Sequence, residues 1–310
     1  MERIDSVEMT RKTVASWRAE GHLVGFVPTM GAFHEGHVSL MRRAVAECSK
    51  VVVSVFVNPL QFGPNEDYAS YPRQLETDAQ VASEAGIDLL FAPSVEEMYS
   101  GPGQTKVVVD GPARGLCGDF RPGHFTGVAT VVAKLFNIVQ PHKAYFGQKD
   151  AQQLAVIETM VADLDFPVEI VRCPTVREPD GLAMSSRNKY LDEEARVAAL
   201  SLYRGLEQAA SRALAGERRA ATLEAAVAET VRAEPRARLE YAELRDARTI
   251  EKLDRLEPQR ECLLAVAARI STSGGGHARL IDNFIFRLKN GRVEVDRGVF
   301  ADKNSTQSSQ

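Results

Sequence analysis

Through its first half the chain alternates short apolar runs with stretches of helical period, and no other feature limits the fold as much. Residues 23–28 (LVGFVP) and 51–57 (VVVSVFV) read as buried strands. Between them Val38, Met41, Val45 and Cys48 recur at three and four residues, marking one face of a helix. Residues 74–85 predict a second helix, ended by Gly86, and 87–92 (IDLLFA) a strand. A helix over 128–139 is halted by Pro141; a strand at 144–146, a helix over 151–164 and a strand at 168–172 follow. Such repeated strand–helix units predict an α/β fold with a Rossmann-like, doubly wound parallel sheet and helices on both faces. Ligands of these sheets sit at the carboxyl ends of the strands, so the chemistry is expected in the loops that follow them.

The second half changes character. Residues 192–215 and 220–233 are Ala-rich, mixed in charge and separated by Gly216, and predict two exposed amphipathic helices. Strands are expected at 239–244 and 262–270. The boundary falls near 173–176. This gives a catalytic domain over 1–175, a smaller C-terminal α+β lid domain over 176–290, and a disordered tail over 291–310, whose last ten residues are polar.

Charge narrows the partners. The formal net charge is -4 and the signs are interspersed, without the basic stripe that nucleic acid requires. The first twenty residues carry charges throughout, so no secretory leader is expected, and no apolar run approaches the length of a membrane span. Cys48, Cys117, Cys173 and Cys262 are far apart and form no CxxC pair, as suits reduced thiols in a cytoplasmic protein.

One segment concentrates the chemistry: Pro28-Thr29-Met30-Gly31-Ala32-Phe33-His34-Glu35-Gly36-His37, between a strand and a helix. A helix start presents unpaired N–H groups and a positive dipole end, which favour phosphate. His34 and His37 are three apart, so their rings can project together and donate to phosphoryl oxygens as charge builds. The spacing is not that of a zinc protease, and the Lys-Ser/Thr pair of a P-loop is missing. Downstream, Met184-Ser185-Ser186-Arg187 offers two hydroxyls and a guanidinium suited to clamping phosphates.

The His-x-Gly-His segment resembles the HIGH motif of the nucleotidyl-transferase superfamily, and the Met184–Arg187 segment resembles its KMSKS-like loop. Further segments narrow the resemblance to the pantothenate synthetase family. They are Phe56-Val57-Asn58-Pro59-Leu60-Gln61-Phe62-Gly63, Arg121-Pro122-Gly123-His124-Phe125-Thr126-Gly127-Val128, Phe146-Gly147-Gln148-Lys149-Asp150-Ala151-Gln152-Gln153, and Pro174 to Glu178 leading into Asp180 to Asn188. The likeness covers about residues 20–285. It implies an ATP-dependent ligase that condenses pantoate with β-alanine through a pantoyl-adenylate, releasing AMP and pyrophosphate. It also implies magnesium and a homodimer.

By this resemblance Met30, Gly31, Ala32, Phe33, His34, Glu35, Gly36 and His37 would bind ATP, with His37, His34, Lys149 and Arg187 as catalytic groups. Gly147, Gln148, Lys149 and Asp150 would hold ATP, Lys149 on phosphate and Asp150 on ribose. The backbone of Val176 would meet adenine, and Met184, Ser185, Ser186 and Arg187 would close over the phosphates. Gln61 and Gln153 would hold pantoate, and Gln61 would also face β-alanine. Val128, Val131, Val132 and Leu135 share a helix face that fits either the substrate's gem-dimethyl group or plain core. Thr77 stands where an acid may occur in the family, which leaves Asp78 as an outer-sphere magnesium candidate. The rivals are another HIGH-motif nucleotidyltransferase and a catalytically inactive nucleotide-binding module.

Overall fold

The computed structural model describes residues 1–301 apart from Asn65 and Pro102. Two compact units divide the chain. The first comprises Met1–Asp110, Arg121–Gly147 and Val156–Cys173, and the second Gly111–Phe120, Gln148–Ala155 and the chain from Pro174 on.

The first unit is built on six parallel strands: β1 (Glu2–Ile4), β2 (Val24–Thr29), β3 (Lys50–Val55), β4 (Leu89–Phe91), β5 (Lys143–Gly147) and β6 (Glu169–Cys173). Their spatial order is β1-β4-β3-β2-β5-β6. From β2 the chain winds outward through β3 to β4, then returns to the other side of β2 with β5 and β6. The switch point of the sheet therefore lies between β2 and β5, where open α/β sheets bind ligands. Helix α1 (Val7–Ala19) precedes β2, α2 (Glu35–Glu47) joins β2 to β3, and α3 (Leu75–Glu84) leads to β4. The short α4 (Val95–Met98) follows, and α5 (Cys117–Phe120) belongs to the second unit. Helix α6 (His124–Val139) precedes β5 and α7 (Ala151–Asp163) precedes β6.

The alternation of the strands sends side chains to both faces. Val27, Val51, Val53 and Leu90 join Leu40, Met41 and Ala44 of α2 in one core. Phe26 points the other way, edge-on to Phe136 of α6. The buried face of α2 is rotated from the one expected: Val45 is exposed, while Leu40, Met41 and Ala44 are buried.

The second unit centres on an antiparallel sheet ordered β11-β10-β9-β8. Its strands are β8 (Ala237–Asp246), β9 (Glu261–Ser271), β10 (His277–Lys289) and β11 (Arg292–Asp296). A parallel pair, β7 (Val176–Arg177) with β12 (Val299–Phe300), flanks it. The helices α8 (Glu193–Leu214) and α9 (Ala220–Arg232) are not free-standing. Their Ala-rich faces, with Leu202, Leu206, Leu223 and Val227, pack on Leu264, Val266, Phe284 and Phe286 of the sheet. The opposite sheet face, with Leu263, Ala265, Ala267 and Ile285, is covered by Leu116, Ala151 and Ala155.

The expected disordered tail needs correction. Residues 292–296 and 299–300 form β11 and β12. Asn290 and Gly291 both take positive φ, 50° and 75°, the geometry of a type I′ hairpin turn. Residues 302–310, the end of that tail, lie outside the described residues.

Candidate active site

The loop after β2 is shaped by two consecutive left-handed residues, Gly31 at φ 82° and Ala32 at φ 53°. Such a conformation in a non-glycine residue persists only when its surroundings impose it. Asp78 on α3 imposes it: its carboxylate accepts the N–H of Ala32 at 2.9 Å and of Phe33 at 2.8 Å. A Cβ on Gly31 would stand 2.8 Å from Asp78 Oδ2 and 2.9 Å from Val55, so the position has no room for one. Thr29 Oγ1 donates to the Ser54 carbonyl at 2.6 Å and accepts the Gly31 N–H at 3.1 Å. Asp78 is only 1% exposed. Each of its carboxylate oxygens holds one backbone amide of the loop.

His34 and His37 come together as the spacing suggested, with ring centroids 4.1 Å apart. Their Nδ1 atoms are used locally. His34 caps α2 by accepting the Gly36 N–H at 3.1 Å, and His37 Nδ1 accepts the His34 N–H at 3.3 Å. This is a capping box written with two imidazoles. An Nδ1 that accepts carries no proton, so both neutral rings bear theirs on Nε2. The amides of Gly31, Ala32, Phe33, His34, Gly36 and His37 are all engaged within the protein.

The loop after β3 carries Gln61, at the end of a 3-10 turn over Pro59–Gln61. The carboxamide is held by Asn58, whose Nδ2 donates to Gln61 Oε1 at 3.1 Å, and Gln61 Nε2 reaches Met30 Sδ at 3.1 Å. Asn58 is itself saturated: it also donates to the Gly127 carbonyl at 3.1 Å, and its Oδ1 accepts Leu60 N–H and the Tyr99 hydroxyl. Burial pushes the Tyr99 phenol up to about 12, which keeps it a donor. Helix α6 approaches the turn closely, since a Cβ on Gly127 would lie 2.2 Å from the Leu60 carbonyl oxygen.

Arg121 adds a further layer. Its Nε and Nη2 donate to the two carboxylate oxygens of Glu66 at 2.7 and 2.6 Å. Burial works against the charge on Glu66, but the hydrogen bonds and charge of Arg121, with the Gly63 N–H, outweigh it and bring the carboxyl to about 2. Val128, Val131, Val132 and Leu135 are all buried in α6.

In the second unit, Gln148–Asp150 forms a 3-10 turn that opens α7. Asn283 on β10 donates through Nδ2 to the carbonyls of Gln148 and Lys149, at 3.1 and 2.9 Å. Lys149 is half-buried and Asp150 exposed. Neighbouring glutamines have opposite roles. Gln152 is buried, its amide spent on Cys117 N–H and the carbonyls of Pro112, Arg114 and Gly115, whereas Gln153 is half-buried.

The Met184–Arg187 segment ends a hairpin that starts at Val176. The Met184 N–H donates to the Val176 carbonyl at 3.0 Å, so the backbone expected to meet adenine already takes part in the hairpin. Ser185 caps the next turn by accepting the Arg187 N–H at 3.3 Å; Ser186 is buried. Arg177 anchors this hairpin. It is fully buried, with Asp282 bound bidentately at 2.7 and 2.8 Å, and it also donates to the carbonyls of Gly181, Asn283 and Arg297. Asn188 and Arg196 share Glu178 beneath the loop.

Asn58, Tyr99, Glu66, Arg121, His124, Asp282 and Asn283 were given no role of their own by sequence reasoning. Asn58 before Pro59 has a local cap signal. Arg121 and His124 stand in a sequence motif but their partners lie far off in sequence, and Tyr99, Glu66, Asp282 and Asn283 leave no signal.

The sequence model described as Pantoate-beta-alanine ligase matches residues 2–285. The pantothenate synthetase of Heliobacterium modesticaldum is 54% identical over 289 residues, 93% of this chain and 100% of that protein. That of Moorella thermoacetica is 51% identical over 288 residues, 93% of this chain and 99% of its own. Among solved structures, pantothenate synthetase from Thermus thermophilus superposes with TM-score 0.82 at 49% identity, covering 91% of this chain and 98% of that one. Pantoate-β-alanine ligase from Francisella tularensis, complexed with β,γ-ATP and β-alanine, gives TM-score 0.75 at 36% identity, covering 92% and 97%.

Proposed function

This chain belongs to the pantoate-β-alanine ligase family and is an ATP-dependent ligase, and we propose that it joins pantoate to β-alanine through a pantoyl-adenylate. The pantoate carboxylate attacks the α-phosphorus of ATP in line, and pyrophosphate leaves. The neutral amine of β-alanine then attacks the acyl carbon, AMP leaves, and the amine gives up a proton as the amide forms.

The observation that carries this reading is the His34–His37 pair. The two rings, tilted against each other with centroids 4.1 Å apart, each accept a backbone N–H on Nδ1 and so carry their proton on Nε2. Such donors stabilise charge moving onto phosphoryl oxygens without reorganising at the moment of reaction. The protein orients and stabilises; no covalent nucleophile is needed.

We assign Gln61 and Gln153 to pantoate, and Lys149, Asp150 and Arg187 to ATP. Lys149 has a suitable setting, a half-buried ammonium on a turn tied down by Asn283. Magnesium would come with the triphosphate. No group of three or more His, Cys, Asp or Glu among the described residues could hold a metal ion, and magnesium commonly relies on substrate phosphates and water. We further propose a homodimer in the cytoplasm. Among the described residues no helix is long and apolar enough to cross a membrane, and the four cysteines are free and buried.

ATP–pyrophosphate exchange tests the scheme. Exchange should require pantoate and proceed without β-alanine. Exchange that strictly needs β-alanine would remove the two-step mechanism, and exchange without pantoate would favour another nucleotidyltransferase.

A further inference from the structure

We propose that Glu66 and Arg121 form a clamp that sets the position of Gln61, making both of them positioning residues for pantoate. The inference rests on the assignment of Gln61 to pantoate made above.

The clamp converges on one atom. Arg121 Nη2 donates to the Gln61 carbonyl oxygen at 3.2 Å, and His124 Nδ1 lies 2.8 Å from the same oxygen. His124 Nε2 lies 3.0 Å from Arg121 Nη1. Arginine can only donate, so Nε2 must accept and Nδ1 must carry the proton. Arg121 thereby selects the tautomer in which His124 donates to Gln61, and Gln61 receives two hydrogen bonds from one guanidinium-centred network.

Glu66 fixes the guanidinium. Its two oxygens meet Nε and Nη2 in a fork-to-fork pair, the arrangement that gives an arginine a single orientation. The same carboxylate accepts the Gly63 N–H at 3.1 Å, and Glu66 N–H donates to the Gly63 carbonyl at 3.1 Å. The chain just after Gln61 is therefore folded back onto the group that orients Arg121. With the Gln61 main chain held by Arg121 and His124 and its carboxamide by Asn58, little freedom remains for the side chain. Glu66 and Arg121 have no role in this scheme except through Gln61.

Glu66→Gln keeps the shape and removes the charge, and Arg121→Lys keeps the charge and removes the fork. Steady-state KM values for pantoate and ATP, with pantoate-dependent pyrophosphate exchange, should be measured in each, and again in a Gln61→Ala background. Both single variants should raise the pantoate KM by about tenfold or more and move the ATP KM by less than about twofold, the pattern of a displaced substrate contact. In the Gln61→Ala background the same changes should add little, because the residue they position has been cut away. Equal rises for both substrates, an unchanged pantoate KM, or full additivity with Gln61→Ala would overturn the clamp. An unchanged pantoate KM in Gln61→Ala alone would overturn the Gln61 assignment and the clamp with it.

Discussion

In the function proposed above, His37 would serve structure on one nitrogen and chemistry on the other. Its Nδ1 is committed to the His34 amide, so removing the ring loses a cap contact as well as an Nε2–H donor. His37→Ala should lower the rate of adenylate formation by about 100-fold or more, as loss of a preorganised donor does, with a smaller change in ATP affinity. Single-turnover adenylation beside equilibrium ATP titration measures this, and a normal adenylation rate would reduce His37 to a capping residue. Asp78→Asn keeps one acceptor and loses the other, leaving a loop amide unpaired in the core. It should destabilise the protein by about 1–3 kcal/mol in chemical denaturation, while the magnesium dependence of the reaction stays the same. Glu66 adds a pH signature. Its folded carboxyl, near 2, lies below the ordinary 4.5. The stability it contributes is therefore complete above about 4.5 and lost as pH falls toward about 2. Glu66→Gln should flatten the wild-type loss of stability in that window; an unchanged slope would show that the pair with Arg121 does not persist in solution. The catalytic candidates were legible because each sits in a short motif, for His34, His37 and Lys149 just after a strand. The residues that hold them were not, because Glu66 and Arg121, or Lys149 and Asn283, meet only after folding.

The placement of helix α6 depends on a single residue. Gly127 lets it lie against the Leu60–Gln61 backbone, and its carbonyl receives Asn58. Gly127→Ala forces a methyl group into a carbonyl oxygen. It should destabilise the fold by about 1–3 kcal/mol, with the helix or the turn displaced, as overpacking typically does. Thermal and denaturant unfolding read the loss, and a neutral result would mean that the turn yields easily. Most strands and helices of the first unit were legible from apolar runs and period. Helix α1 was not, because only Thr10 and Val14 of it are buried and its apolar stripe is thin. Strands β10 and β11 were overlooked although Asn290-Gly291 marks the turn between them; the charges of RVEVD hid a strand with a half-buried edge. A chain ending at Asp296 should lose stability, since Arg177 would lose its Arg297 acceptor and β7 its partner β12.

At the scale of the whole molecule, the second unit draws on residues that the sequence assigned to the first. Leu116, Ala151 and Ala155 cover the sheet face of Leu263, Ala265, Ala267 and Ile285, yet they precede the main boundary at Cys173 and Pro174. Sequence reading placed a single cut because composition changes only once, whereas the packing depends on two short insertions that leave no compositional trace. A fragment starting at Pro174 should therefore expose that apolar face, bind a hydrophobic dye and self-associate, and a monomeric, cooperatively melting fragment would contradict the division. For the lineage of such a chain the interleaving has a genetic meaning. A crossover between genes that swaps everything after the boundary would set the incoming sheet against covering residues from another parent. The carboxy-terminal half is therefore not a self-contained cassette: its sheet and the residues that cover it have to match.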